Sequence, residues 1–202
     1  MLNNKCYILS SYFENQRDDF FNHIKKEKCP VICADGGQIL ADRYGIKPFI
    51  VIGDFDSSLP DKNNQLVYPK EKNITDTEAC VIYAMEKGFT DITILGGLGG
   101  RVDHSLGNLG LLAKYQITLM DSKNFVRFIE NDEAYIHKSN YKYLSILPFG
   151  NGEITVTLRG FKYPLDKHLL SFKETLGISN EITEEKGYIR IMGSALIIQS
   201  ND

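Results

Sequence analysis

The sequence predicts an N-terminal α/β domain with a parallel sheet over residues 1–125, followed by a C-terminal antiparallel β-sandwich domain over residues 126–202. Up to about residue 125, short β-branched runs alternate with segments of helical periodicity, as in parallel strands joined by helices. Beyond that point apolar and polar residues alternate, which is typical of strands with one buried face. The chain of 202 residues is long enough to bury a core in each domain.

Four strands are predicted in the first half, which we expect to form a Rossmann-like sheet. The first is KCYILSS (5–11), and the other three, VIC (31–33), FIVI (49–52) and ITIL (92–95), are compact runs of the kind that is buried on both faces of a parallel sheet. Four segments between or after these runs have helical spacing: residues 14–28, 37–45, 75–88 and 103–115. We expect the first helix to bury Phe20, Phe21 and Ile24, the third to stop at Gly88, and the last to carry one apolar stripe, Leu106, Leu109 and Ala113.

The second half shows the period of two that half-buried strands require. In EITVTLR (153–159), Ile154, Val156 and Leu158 share one face. The preceding Asn151-Gly152 pair predicts a hairpin turn. Further strands are expected at residues 141–147, 187–192 and 194–199.

Charge and composition exclude several classes of protein. The formal net charge of −3 argues against a nucleic-acid binder, which usually presents a basic face. No apolar run approaches the ~20 residues that a membrane helix needs, and the N-terminus lacks the pattern of a secretory signal. The four cysteines form no CxxC pair, so we interpret them as reduced thiols and expect a cytoplasmic protein.

Glycine and aspartate follow three of the predicted strands, in the segments ADGG (34–37), GDFDSS (53–58) and GGLGGRVDH (96–104). Each segment alone would be a turn, where both residue types are favoured for backbone reasons. Parallel sheets, however, bind ligands at the carboxyl ends of their strands. The repetition therefore favours a site that includes Asp35, Asp54 and Asp56.

Asp54 and Asp56 are separated by one residue, so both carboxylates can point to a common centre. Mg²⁺ prefers oxygen ligands and is held in many proteins by one or two carboxylates together with substrate phosphates. We therefore predict a magnesium site here. Asp76 is a third candidate ligand, although the capping box formed by Thr75 and Glu78 and the helix dipole account for this segment about equally well.

The glycine-rich segment is neither a Walker A loop nor a GxGxxG motif, but its glycines let the backbone approach a ligand closely. The following helix opens near Asp103 with N–H groups suited to phosphate. Arg101 either clamps a phosphate or faces solvent. The residues alone thus indicate Mg²⁺-dependent phosphate chemistry with a nucleotide.

The ordered motifs ADGG, GDFDS, TDTEA, GGRVDHSLGNL and GISNE resemble the thiamine pyrophosphokinase family over nearly the whole chain. The resemblance implies transfer of a pyrophosphoryl group from ATP to the hydroxyl of thiamine, giving thiamine diphosphate and AMP. It also implies Mg²⁺ as cofactor and a homodimer. The charge and the lack of a long apolar run lead us to expect no nucleic-acid or membrane partner.

Carried over motif by motif, the resemblance assigns roles to individual positions. Asp54, Asp56 and Asp76 would hold Mg²⁺ and the polyphosphate, and Asp35 would line the same catalytic site. Thiamine would contact Ser179 and Asn180. The ATP site would comprise Gly96, Gly97, Gly99, Gly100, Arg101 and Asp103.

The chain departs from the family pattern at Asn73, where KDxTD often provides an aspartate, and any metal role for that position is in doubt. The chain contains no Trp, so stacking on thiamine would have to use Tyr or Phe, with Tyr163 and Tyr188 as candidates. Two alternatives stay open: a Mg²⁺-dependent nucleotide phosphohydrolase, and a non-catalytic nucleotide- or thiamine-binding regulator.

Overall fold

The computed structural model of the chain describes residues 4–13, 17–53, 65–67, 73–150 and 152–202. The chain divides into two compact units, Met1–Ser122 and Lys123–Asp202. None of the described helices is long and apolar enough to span a bilayer. Asp54 and Asp56 lie outside the described residues.

The first unit alternates strands and helices along the chain. Its strands are β1 (Lys5–Leu9), β2 (Val31–Ala34), β3 (Ile50–Gly53), β4 (Gln65–Val67), β5 (Asp91–Leu95) and β6 (Thr118–Met120). Its helices are α1 (Asp18–Glu27), α2 (Gly37–Arg43), α3 (Asp76–Glu86) and α4 (Val102–Tyr115). The four predicted strands and four predicted helices of this half are all present.

All of these strands pair in parallel, in the order β4-β3-β2-β1-β5-β6. The chain builds outward from β1 through β2 and β3 to β4, and then returns to place β5 on the other side of β1. The order therefore reverses between β1 and β5, and such a switch point is where open α/β sheets bind ligands.

Helices cover both faces of this sheet, which explains why its strands are continuous apolar runs. On one face, Leu9 and Cys33 pack in a cluster with Phe21 and Ile24 of α1 and Leu40 of α2. Phe20 packs at the margin of the cluster and is only partly buried. The opposite face carries fully buried isoleucines and contacts α3, which in turn contacts α4.

Helix α4 turns a different face inward from the one that its apolar pattern predicted. Its buried residues are Asn108, Leu111 and Leu112, whereas the side chain of Leu106 is 62% exposed. The predicted stripe was wrong because leucines occur nearly all around this helix. The periodicity could not select a face, and packing against the rest of the unit did.

The second unit consists of two antiparallel sheets, as predicted for a β-sandwich. Strands β7, β13 and β9 pair in that order, and the other sheet has the order β11-β10-β12-β8. The strands are β7 (Asn124–Glu130), β8 (Glu133–His137), β9 (Tyr143–Pro148), β10 (Glu153–Arg159), β11 (Leu165–Ser171), β12 (Lys186–Met192) and β13 (Ser194–Ser200).

One buried cluster joins the facing sides of these two sheets. Ile154, Val156 and Leu158 of β10 pack with Ile146 of β9 and Ile197 of β13. The alternation in β10 therefore identified its buried face correctly. The hairpin prediction was wrong: Asn151 lies outside the described residues, but β9 and β10 belong to different sheets. A turn signal is local and does not specify whether the next strand returns to the same sheet.

Two leucines of α4 provide a test of which face is buried. Leu112 is fully buried, and we expect Leu112→Ala to lower the free energy of unfolding by about 2–5 kcal/mol through lost burial and a residual cavity. Leu106→Ala, on the exposed side of the same helix, should change it by less than about 0.5 kcal/mol. Urea denaturation of both variants measures this, and equal losses would contradict the assignment of the buried face.

Candidate active site

A cavity of about 540 Å³ lies where β1 and β5 end. Four segments of the first unit line it: the β1 exit segment (residues 10–13), the start of α3, the glycine-rich loop (residues 96–101) and the first turns of α4. The lining residues are Ser10, Ser11, Tyr12, Thr75, Asp76, Thr77, Gly97, Gly99, Gly100, Arg101, His104 and Asn108. The cavity therefore occupies the switch point of the sheet.

The N-termini of two helices, α3 and α4, meet at this cavity. Asp76 is the first residue of α3, and Arg101 is the N-cap of α4. The first N–H groups of a helix have no partner within the helix, and the helix dipole adds partial positive charge at the same end. Two such ends at one cavity make a site suited to phosphate groups.

The glycine-rich loop has a backbone conformation that favours glycine. Gly96, Gly97, Gly99 and Gly100 all have positive φ, between 62° and 84°. A Cβ atom on Gly96 would lie 2.4 Å from the carbonyl oxygen of Tyr12, so a side chain at this position is excluded by the β1 exit segment. The predicted close approach of backbone is therefore present, although Gly96 does not itself line the cavity.

Arg101 and Asp103 form a bidentate ion pair, with Nε–Oδ1 and Nη2–Oδ2 distances of 3.1 and 2.6 Å. The hydrogen bond from Arg101 and the one from the His104 N–H hold the pKa of Asp103 below its usual value. Both side chains are mostly exposed. A phosphate on Arg101 would have to share the guanidinium with Asp103 or displace it.

Thr75 caps α3 through its hydroxyl, which accepts a hydrogen bond from the Glu78 N–H at 3.2 Å. The Glu78 carboxylate accepts hydrogen bonds from Lys114 (2.7 Å) and Tyr115 (2.8 Å) near the end of α4. Burial works to raise the pKa of Glu78, but these two hydrogen bonds outweigh it and the pKa lies below its usual value. Glu78 thus ties the two helices of the site together, a role that the capping-box interpretation missed.

Asp35 lies at the end of β2 with φ of 37°, and its N–H donates to the carbonyl of Ile52 on β3. A Cβ on Gly53 would lie 2.9 Å from the Cβ of Asp35, so the absence of a side chain at Gly53 lets the two strand ends come together. The structure thus places Asp35 beside the residue that precedes Asp54. Among the described residues, no cluster of three or more His, Cys, Asp or Glu side chains could hold a metal.

Ser179 and Asn180 lie in the second unit. Ser179 has φ of 59°, and its N–H donates to the Ser145 hydroxyl. The buried Asn180 amide accepts from the N–H of Tyr163 and donates to its C=O, and it also accepts from the Glu181 N–H. These bonds hold the backbone of Tyr163, whose side chain is 57% exposed.

Tyr188 lies on the outward side of β12. Its hydroxyl donates to Glu133, and its ring lies 5.3 Å from that of Tyr135. Of the two tyrosines considered for stacking on thiamine, Tyr163 is therefore the one that the structure holds next to Asn180.

Sequence reasoning missed several residues of the cavity, in particular Ser10, Ser11, Tyr12 and Asn108. The rule that ligands bind at strand ends applies to β1 as well, but its exit segment lacks the Gly-Asp pattern that marked the other strands. Asn108 was detectable only as one polar residue within an apolar helical segment.

A Rossmann-like sheet with a glycine-rich loop and two helix N-termini at its switch point defines a phosphate-binding α/β protein. The family model of the thiamin pyrophosphokinase catalytic domain matches residues 21–123, and that of the thiamin pyrophosphokinase vitamin B1 binding domain matches residues 133–196. The chain belongs to the thiamin pyrophosphokinase family.

Individual relatives agree with this membership. The chain is 35% identical over 186 residues to thiamine pyrophosphokinase from Bacillus subtilis, covering 85% of this chain and 87% of the relative. Thiamin pyrophosphokinase 1 from Caenorhabditis elegans is 27% identical, with coverage of 90% and 82%.

Solved structures of the family share the fold. A crystal structure of thiamine pyrophosphokinase from Bacillus subtilis superposes with a TM-score of 0.87 at 32% identity, covering 98% of this chain and 99% of that one. A crystal structure of thiamin pyrophosphokinase from Geobacillus thermodenitrificans superposes with a TM-score of 0.85 at 30% identity, and the match covers 98% of each chain. The activity is that of a thiamine diphosphokinase, a transferase of thiamine diphosphate biosynthesis that uses ATP and thiamine.

Two glycines with nearly the same φ allow the glycine-rich loop to be tested. At Gly97 (φ 82°) an added Cβ would lie 2.6 Å from Nδ2 of Asn108, whereas at Gly88 (φ 84°), after α3, it would meet open space. Both Ala variants should lose about 1 kcal/mol of stability through backbone strain.

We expect only Gly97→Ala to raise the KM for ATP, by about tenfold or more, because only this substitution displaces the loop. Steady-state kinetics with varied ATP measures the effect. The same KM for ATP in both variants would show that the loop does not bind the nucleotide.

Proposed function

We propose that the cavity between the β1 exit segment and the glycine-rich loop binds ATP, and that Mg²⁺ and the strand-end aspartates complete the catalytic site. The observation that carries this proposal is the meeting of the N-termini of α3 and α4 at one cavity beside the loop. Backbone N–H groups and helix dipoles bind phosphates without requiring a cluster of lysines.

The donor set suits magnesium, because aspartate carboxylates are the hard oxygen ligands that this ion prefers. Asp76 lines the cavity, and Asp35 lies beside Gly53, which directly precedes Asp54. In this proposal Asp54, Asp56 and Asp76 hold the metal, and Asp35 lines the same site. The bound ion would neutralise charge on the polyphosphate.

The reaction requires the thiamine hydroxyl oxygen to attack the β-phosphorus of ATP. The new O–P bond forms as the bond between the β-phosphorus and the bridging oxygen to the α-phosphate breaks, and AMP leaves. Such a transfer depends on positioning and charge stabilisation more than on an elaborate base. The hydroxyl proton passes to one of the aspartates or to solvent, and the loop and helix N–H groups hold the ATP phosphates in place.

Thiamine is assigned to the segment that contains Ser179 and Asn180. The Asn180 amide holds the backbone of Tyr163, and an exposed aromatic ring fixed in this way suits stacking on a flat heterocycle. In this proposal the Ser179 hydroxyl contacts thiamine directly. A KM for thiamine that is unchanged in Ser179→Ala would remove that hydroxyl from the site.

We also propose a homodimer in the cytoplasm. Val102, the first residue of α4, is 72% exposed, and burying it against a second copy would be favourable. The four cysteines form no disulfide, and burial raises the pKa of Cys6 and Cys33 to about 12, as suits thiols kept reduced. Light scattering at assay concentration tests the dimer, and a monomeric mass would contradict it. Cell fractionation tests the location, and recovery of the native protein outside the cytoplasm would contradict it.

The test of the proposed function is a product assay on the purified protein with Mg-ATP, with and without thiamine. We expect AMP and thiamine diphosphate in equal amounts, only when thiamine is present, and no turnover after EDTA until Mg²⁺ is restored. Loss of ATP without thiamine would identify a phosphohydrolase. Binding of thiamine and ATP without turnover would identify a regulator.

A comparison with Asp18 tests whether Asp76 binds the metal or only stabilises the start of its helix. Each is the first residue of its helix and carries a charge that complements the helix dipole. Asn at either position should cost about 0.3–1 kcal/mol of stability. We expect only Asp76→Asn to lower kcat, by about 100-fold or more, because a metal ligand is lost.

The same kinetic assay, repeated over a range of Mg²⁺ concentrations, measures this difference. Asp54 lies outside the described residues, so it has no structural control of this kind. We expect Asp54→Asn to lower kcat as Asp76→Asn does. Wild-type turnover in Asp76→Asn at limiting Mg²⁺ would remove this residue from the metal site.

A further inference from the structure

Asn108 is a buried polar residue in the middle of α4, a helix whose other buried residues are leucines. Its side chain is 5% exposed, and Nδ2 donates a hydrogen bond of 2.9 Å to the carbonyl oxygen of Gly97. A buried amide is retained in a core only when it is hydrogen-bonded. Here its partner belongs to the glycine-rich loop, eleven residues earlier in the chain.

The peptide groups around Gly97 are held from several sides. The Gly97 N–H donates to the carbonyl of Tyr12 at 2.8 Å, and the Gly96 N–H donates to the carbonyl of Met120 at the end of β6. Asn108 holds the Gly97 carbonyl from α4. A Cβ on Gly97 would lie 2.6 Å from Nδ2 of Asn108, so the side chain and the loop are in direct contact.

Of the three bonds at Gly96 and Gly97, the one from Asn108 is made by a side chain and the other two are between backbone groups. Further along the loop, the Ser105 hydroxyl donates to the Gly99 carbonyl at 3.1 Å. Without the bond from Asn108, the Gly97 carbonyl would lose its buried donor, and the cost of an unsatisfied buried carbonyl favours a turn of the peptide plane toward another partner. That rotation would move the next residues of the loop, including Gly99 and Gly100, which line the cavity.

We propose that Asn108 is a positioning residue for ATP: it orients the Gly97 peptide so that the glycine-rich loop keeps the conformation that binds phosphate. This inference rests on the proposed role of the loop in ATP binding. Asn108 acts through the Gly97 carbonyl. Its loss should therefore weaken ATP binding and leave thiamine binding unchanged.

The alternative is that Asn108 only stabilises the fold. Thr93 provides the control, because it is also 5% exposed in the first unit, and its hydroxyl shares a part-buried 2.8 Å hydrogen bond with the hydroxyl of Thr118. Thr93 lies on β5, which leads into the glycine-rich loop, but it does not line the cavity. Thr93→Val and Asn108→Leu each remove one side-chain hydrogen bond with little change in shape.

The experiment measures the Kd of a non-hydrolysable ATP analogue with Mg²⁺ by calorimetry. Steady-state kinetics gives kcat and the KM values for ATP and for thiamine. All measurements are made at a temperature where every variant is folded. For Asn108→Leu we expect the Kd and the KM for ATP to rise about tenfold, because small displacements at a phosphate site are costly. The KM for thiamine should stay within about twofold. Thr93→Val should lower the Tm and leave all binding constants unchanged.

An ATP Kd for Asn108→Leu that equals the wild-type value would overturn the inference while the proposed function stands. Equal weakening in Thr93→Val would also overturn it, because the effect would then be general loosening. If Asn108→Leu does not fold, Asn108→Ser replaces it, because the shorter hydroxyl keeps a polar group but should not reach the Gly97 carbonyl. Failure of the wild-type protein to bind the ATP analogue would instead overturn the proposed function, and this inference with it.

Discussion

The candidate site depends on the parallel pairing of β1 with β5 at the reversal of strand order. That pairing brings the exit segments of both strands to one edge, where the Gly97 N–H reaches the carbonyl of Tyr12. Because a Cβ on Gly96 would lie 2.4 Å from the same carbonyl, this approach is open to glycine alone. The glycine-rich loop connects β5 to α4, and it therefore brings the start of α4 to the cavity.

Much of the charge around the cavity is paired within the protein. Arg101 is bound by Asp103, and Glu78 is bound by Lys114 and Tyr115. Among the residues that the structure describes, the features left to attract phosphate are therefore backbone N–H groups and helix dipoles more than a group of cations, in keeping with the net charge of −3. The proposal that the strand-end aspartates bind magnesium follows from this arrangement, because a divalent cation would supply the charge neutralisation that the polyphosphate requires.

The two units contain the same kind of side-chain to backbone hydrogen bonding at their candidate sites. In each, a buried asparagine amide holds the backbone of a neighbouring segment: Asn108 holds Gly97, and Asn180 holds Tyr163. A side-chain amide can donate and accept at once, so it can replace a missing strand partner where the chain is irregular. Loops that bind ligands can thereby be held in one conformation without being part of a sheet.

The sequence by itself determined the α/β domain followed by the β-sandwich, the strand runs, and the family, because these depend on local periodicity and on motifs whose order survives in the chain. It also assigned Asp35, the glycine-rich loop, Asp54 and Asp56 to the site, and these roles stay predictions. Tertiary structure decided that Leu106 faces outward, that β9 and β10 belong to different sheets, and that Asn108 and the β1 exit segment reach the cavity. These features arise from contacts between residues far apart in the chain, and no local pattern records such contacts.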